Sequence, residues 1–166
     1  MAGANSTYVG RPNVRVICCL FAALLVLGGC AETKPEPTVV DLSISAALDI
    51  NPNAQGRASP VVLRVYQLAS PNAFEEADFF QLFEQDAAIL GADMIGREEI
   101  IVTPGATQKI SQEVGPTVRY LGVLAAYRET ETSVWRAMGD IVPEEINSYN
   151  VQIDALAVSV SKAEED

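Results

Sequence analysis

From position 39 onward, apolar residues recur at every second position in short runs. That period dictates strands with one face turned to a core. In 39–50 (VVDLSISAALDI), Val40, Leu42, Ile44 and Ala46 alternate with Asp41, Ser43 and Ser45. Turn formers fill 51–59 (NPNAQGRAS), and Pro60 opens a second run at 61–68 (VVLRVYQL). A tight hairpin uses about two to five connecting residues, so 51–59 is either slack or an interaction surface.

The period changes once. Ser70-Pro71 reads as a helix cap followed by a first-turn proline, with Glu75 and Glu76 soon after. Phe79, Leu82 and Phe83 then fall at i, i+3 and i+4, with Gln81, Glu84 and Gln85 opposite. This predicts one or two short helices within 70–90, lying on an edge or end of a sheet, with the aromatic stripe as core.

Strand patterns return at 98–102, which runs into the turn Thr103-Pro104-Gly105. The alternation over 106–114 is weak and suggests an edge; Gly115-Pro116 ends it. The segment 119–128 (RYLGVLAAYR) is apolar on both faces and reads as a central strand. A polar turn at 129–133 leads to 134–138, a hairpin that would set Tyr127 opposite Trp135. After Glu144-Glu145, the last strand spans 149–160, with Tyr149, Val151, Ile153 and Ala155 alternating with Asn150, Gln152 and Asp154. Seven strands, one helical insertion and short turns make the chain mainly β, and an antiparallel β-sandwich is the economical packing.

The amino terminus carries a different signal. Arg11 and Arg15 precede an apolar run over 16–27, the length of a secretory core and too short to span a bilayer. The run ends in Leu27-Gly28-Gly29-Cys30, which resembles the lipobox of bacterial lipoproteins, with Gly28 where Ala or Ser is commoner. The resemblance implies cleavage after Gly29, diacylglycerol on the Cys30 thiol and acylation of the new terminus; a plain signal peptide ending near a cysteine is the alternative. Residues 1–29 are then a signal peptide, 30–38 a lipidated tether stiffened by Pro35 and Pro37, 39–161 the sandwich, and 162–166 a disordered acidic tail. Ala31, instead of aspartate, favours the periplasmic face of the outer membrane under the sorting rule that accompanies the lipobox. Several acyl chains anchor stably where one binds only marginally.

With Cys18 and Cys19 in the signal and Cys30 acylated, the mature 137 residues hold no disulfide and must be held by packing. The chain has 11 basic and 22 acidic residues; without Arg11 and Arg15 the balance is 9 against 22, net −13. Such a surface is repelled by nucleic acid and by anionic bilayers, so the domain should hang from its lipid. A partner with a basic face would be attracted within the ~8 Å screening length.

The residue types exclude much chemistry. There is no histidine, and no cysteine outside positions 18, 19 and 30, which removes the common nucleophilic triads and zinc or copper ligand sets. Glycines stand singly in turns, without a phosphate loop. Glu75, Glu76, Asp78, Glu98, Glu99, Glu144 and Glu145 leave a two-carboxylate hydrolase formally open, but nothing brings any two together. The stretch from Asp49 imitates the start of a calcium loop, yet Ala54 replaces the required glycine and Pro60 the final glutamate. No cofactor is expected beyond the covalent lipid on Cys30.

Several words stand in order behind the lipobox: Arg57-Ala58-Ser59-Pro60, RVYQL at 64–68, F-x-x-A-D-F-F-x-L at 74–82, LGAD at 90–93, the Pro104-Gly105 turn, GVLAAYR at 122–128 and Trp135-Arg136. Together they resemble the outer-membrane lipoproteins of type VI secretion systems, the TssJ family. The resemblance implies a transthyretin-like antiparallel β-sandwich of about seven to eight strands with a small helical insertion, and no enzymatic activity. It also implies a structural adaptor that tethers the trans-envelope complex to the outer membrane. The partner would be the periplasmic domain of the large inner-membrane component (TssM family). The family's contact loop joins the first two strands, which here places Asn51, Pro52, Asn53, Ala54, Gln55, Gly56, Arg57, Ala58 and Ser59 at the interface, with Arg57 the first candidate for a hot spot. The alternative is a ligand- or inhibitor-binding periplasmic lipoprotein that uses the Phe74/Phe79/Phe80 region as a pocket.

Overall fold

The computed structural model describes Gly3 and residues 35–163; the lipobox, Cys30 and 164–166 lie outside the described residues. Eight strands form two four-stranded sheets. One has the order β4-β1-β7-β8 and the other β3-β2-β5-β6, where β1 is Thr38–Ala46, β2 Val61–Leu68, β3 Met94–Val102, β4 Thr107–Val114, β5 Tyr120–Ala126, β6 Arg136–Asp140, β7 Ile146–Ile153 and β8 Val158–Lys162. Helices α1 (Asn72–Glu76) and α2 (Phe79–Leu90) lie between β2 and β3.

The alternation read from the sequence is the alternation of the core. Val40, Leu42 and Ile44 of β1 face Leu63 and Val65 of β2 and Val123 of β5 across the sandwich. Burying an aliphatic side chain of this size contributes about 1.5–3 kcal/mol, and with no disulfide that burial must hold the domain. Strand β5 is central, as expected, and β4 is an edge.

Four local expectations are corrected. The segment 149–160 is two strands: Asp154 N–H donates to Ala157 O (2.8 Å), closing a turn between β7 and β8 that contains no glycine or proline. Strand β1 pairs with β7 in parallel, so one of the two sheets is mixed. Trp135 does not face Tyr127: the register sets Leu124 opposite Arg136, and Ala125 N–H donates to Trp135 O. Its indole instead meets Phe79 edge-on at 5.4 Å. Finally, Lys162, expected in the tail, ends β8, and Ala163 N–H donates to Ser148 O.

The helices cover the outer face of the second sheet, where Tyr66, Leu68 and Leu124 break the polar-out pattern and pack with Phe74, Phe79 and Leu82. Their start signals also differ from expectation. Helix α1 has no side-chain cap, whereas Asp78 caps α2 by accepting from Gln81 N, and Gln81 reciprocates to Asp78 N. Buried Asp86 pins α2 to the sheet, accepting from Arg97 (2.5 Å) and from the Tyr66 hydroxyl (3.2 Å), with Arg64 at 3.6 Å. Burial would raise the Asp86 carboxyl, but the Arg97 guanidinium and the Ala87 N–H outweigh it and hold it below the ordinary carboxylate value. Burial pushes the Tyr66 hydroxyl up to about 12.

The two sheets are joined along one side and open along the other. Val134 N–H donates to Leu156 O, and Val158 N–H donates to Val134 O, linking the β6 side to the β8 side. Edge strands β3 and β4 form the open side.

Candidate partner-binding loop

Strand β1 carries the chain from Thr38 to the opposite pole, about 30 Å for nine extended residues. There the connection to β2 forms a closed, hydrogen-bonded loop. Asn53 does most of this locally: its Oδ1 accepts from Gln55 N (3.0 Å) and Arg57 N (2.9 Å). Its carbonyl accepts from Gly56 N and its own N–H donates to Arg57 O. Gly56 takes φ +72°, which a side chain would resist. The oxygen that a calcium ion would need from Asn53 is thus turned onto the loop backbone. Among the described residues, no three acidic side chains gather to hold a metal ion.

The nine residues of 51–59 do not share one role. Asn51 (4 % exposed) and Ser59 (7 %) are turned inward and offer a partner little; Pro52, Asn53 and Ala58 are half-buried. Ala54, Gln55, Gly56 and Arg57 form the exposed tip. Asn51 instead ties the pole together. It donates through Nδ2 to Pro60 O (2.8 Å) and accepts on Oδ1 from Arg128 N (2.8 Å), while its own N–H donates to Ala155 O. These partners come from three different connections, so the loop is held by both sheets. Asn51 has φ +46°, a conformation that asparagine tolerates better than most residues.

Two exposed apolar side chains at this pole were not singled out by the sequence reading. Leu48 is 82 % exposed and lies against Gly105 of the 103–106 turn, and Val134 is 58 % exposed beside the β7–β8 turn. The available signal for Leu48 was its place after the β1 alternation had ended.

The other candidate surfaces carry less. Beneath the helices, Phe74 and Phe79 are buried and the space is filled by side chains, with only Phe80 exposed. The carboxylates weighed as a hydrolase pair are scattered: Asp78 caps α2, Glu99 accepts from Arg64 Nε at 2.8 Å, and Glu144 and Glu145 precede β7. Among the described residues, no helix is long and apolar enough to cross a membrane.

Residues 38–156 match the family described as type VI secretion lipoprotein, VasD, EvfM, TssJ, VC_A0113. The chain is similar to the T6SS lipoprotein TssJ1 from Pseudomonas aeruginosa, with 31% identity and a TM-score of 0.76 over 78% of this chain and 99% of that one. Lip from Serratia marcescens, a membrane-bound component of the type VI secretion system, is 24% identical with a TM-score of 0.71, over 78% of this chain and 99% of that one. A chain in a structure of the T6SS protein TssM C-terminal domain from EAEC is 22% identical with a TM-score of 0.63, over 76% of this chain and 99% of that one. These last two are likenesses of fold alone. A search of the curated proteins found no match.

Proposed function

Because the chain belongs to the type VI secretion lipoprotein (TssJ) family, we propose that it is a lipid-anchored structural adaptor. In this reading the lipid on Cys30 holds it at the outer membrane, and the tip 54–57 grips the periplasmic domain of the large inner-membrane component, without catalysing a reaction. The observation that carries the proposal is the placement of an exposed, hydrogen-bonded tip at the pole opposite Thr38. An attachment upstream of Thr38 leaves that tip directed away from the bilayer. A loop already fixed by Asn53 loses less conformational entropy on binding than a flexible one. Arg57, exposed and cationic, is the first candidate to dominate affinity.

Deleting 53–57 should leave the domain folded and abolish capture of the inner-membrane partner's periplasmic domain in a pull-down with purified components. Unchanged affinity would remove the loop from the interface. Cys30→Ser should shift the protein from the outer-membrane fraction to the soluble periplasm; continued fractionation with the membrane would contradict lipid anchoring.

A further inference from the structure

The open side of the sandwich contains a cleft of about 250 Å³ between β3 and β4. Its walls are inward-facing side chains of both sheets, among them Val40, Leu42, Val65, Ile110, Val114 and Leu121. The alternation explains the gap. Inward positions on β3 pair with Val61, Leu63, Val65 and Gln67 of β2, and read Val102, Ile100, Glu98 and Gly96 toward the Thr38 pole. On β4, Ile110 and Gln112 stand opposite Leu42 and Val40. Toward that pole β3 therefore runs out of bulky apolar residues, and β4 carries Gln112 between Ile110 and Val114, so that Glu98, Gly96 and Gln112 stand where a filled core would place valine or leucine.

The burial reports the same gap. Val40, Val65 and Val114 keep 6–8 % of their surface, while Leu63, Val123 and Val151 keep none. Protein interiors seldom hold voids larger than a water molecule, and an apolar cavity of ~150 Å³ already binds benzene. Here the deep wall is aliphatic, and the charged and amide groups (Gln67, Arg97, Glu98, Gln112) belong to the two edge strands and the end of β2. That arrangement fits an amphiphile with its chain inside and its headgroup outside. Gln67 lies across Gly96, where an added Cβ would come within 3.2 Å of its side chain.

We propose that this cleft is a binding site for one acyl chain. Its position selects that chemistry: Val40 and Val114 line it within two residues of Thr38 or directly opposite it, at the pole where the tether enters. Seven residues lie between Cys30 and Thr38 and the eight steps span at most about 30 Å, a length compatible with either source of the acyl chain, one carried on Cys30 or a lipid drawn from a nearby bilayer. The site is separate from the partner-binding tip and stands or falls without it.

The test uses cis-parinaric acid, whose fluorescence rises in an apolar site, with decanoate as competitor. The full Cys30→Ser chain should bind one probe per chain saturably and release it to decanoate. Ile110→Trp and Gln112→Trp both fill the cleft from an edge strand, and each should weaken binding at least tenfold while circular dichroism and the thermal midpoint are retained. Gln112 is exposed at the edge, so its variant remains readable if the other misfolds. With Cys30 intact, reduced probe binding identifies the protein's own lipid as occupant, and equal binding identifies lipid from outside. Absence of saturable binding to the Cys30→Ser chain, or binding unchanged in folded Trp variants, overturns the proposal.

Discussion

Asn51→Ala tests whether the loop pole is held as one piece. Two hydrogen bonds of 2.8 Å disappear, one from Nδ2 to Pro60 O and one from Arg128 N to Oδ1. Each is worth about 1 kcal/mol net, and stranding the carbonyl and the N–H that remain adds to that where water cannot reach them. Alanine also tolerates the φ of +46° less well than asparagine, by about 1 kcal/mol. The expected loss is about 3 kcal/mol. With m near 1–3 kcal/mol/M for a domain of this size, the urea midpoint should fall by about 1–3 M with m unchanged. Asn51→Gly removes the same two bonds but relieves the backbone, and should recover about 1 kcal/mol of the loss. Asn51→Asp keeps an acceptor for Arg128 N and should fall between wild type and alanine. A loss below about 0.5 kcal/mol for Asn51→Ala, or a glycine variant worse than the alanine one, would refute the assignment of Asn51 as the tie between the two sheets.

Asp86→Asn should cost about 2–3 kcal/mol at pH 7, since Arg64 and Arg97 lose their shared anion. The folded carboxyl lies below its unfolded value, so the stability it contributes is complete above about pH 4 and is lost as pH falls through the folded value. Wild type and variant should therefore converge in acid urea titrations; a constant gap down to pH 2 would locate the effect in packing. Gly122→Ala would bring a Cβ to 3.0 Å from Leu68 and 3.1 Å from Phe74, both fully buried, and should lower stability by about 1–2 kcal/mol in the same assay. A stabilised variant would mean that the ring of Phe74 moves freely over the sheet.

Period-two alternation was sufficient to set β1 and β2, because a one-residue slip would turn Val40, Leu42 and Ile44 to solvent. The family words were also legible in the residues alone, and the matched span 38–156 agrees with the family reading. Pairing was not legible. The parallel contact of β1 with β7 joins segments about a hundred residues apart, and nothing local in either segment encodes it. The β7–β8 turn was hidden because Asp154-Ala155-Leu156-Ala157 is mostly apolar and lacks a turn-forming glycine or proline. Trp135 looked like a partner for Tyr127, but the strand pairing aligns it with Ala125, and its indole meets Phe79.

The loop divides along the same line. Its length and its asparagines marked 51–59 as a candidate surface, since turn chemistry is local. Which of the nine residues face outward depends on Pro60, Arg128 and Ala155, which meet Asn51 only after both sheets have formed. The cleft depends still more on assembly. Glu98 and Gln112 are unremarkable polar residues in the sequence, and they become the rim of a cavity only when two edge strands that never pair are brought face to face. A sequence specifies the faces of its own strands through their pleat; what those faces meet is decided by contacts between segments far apart in the chain.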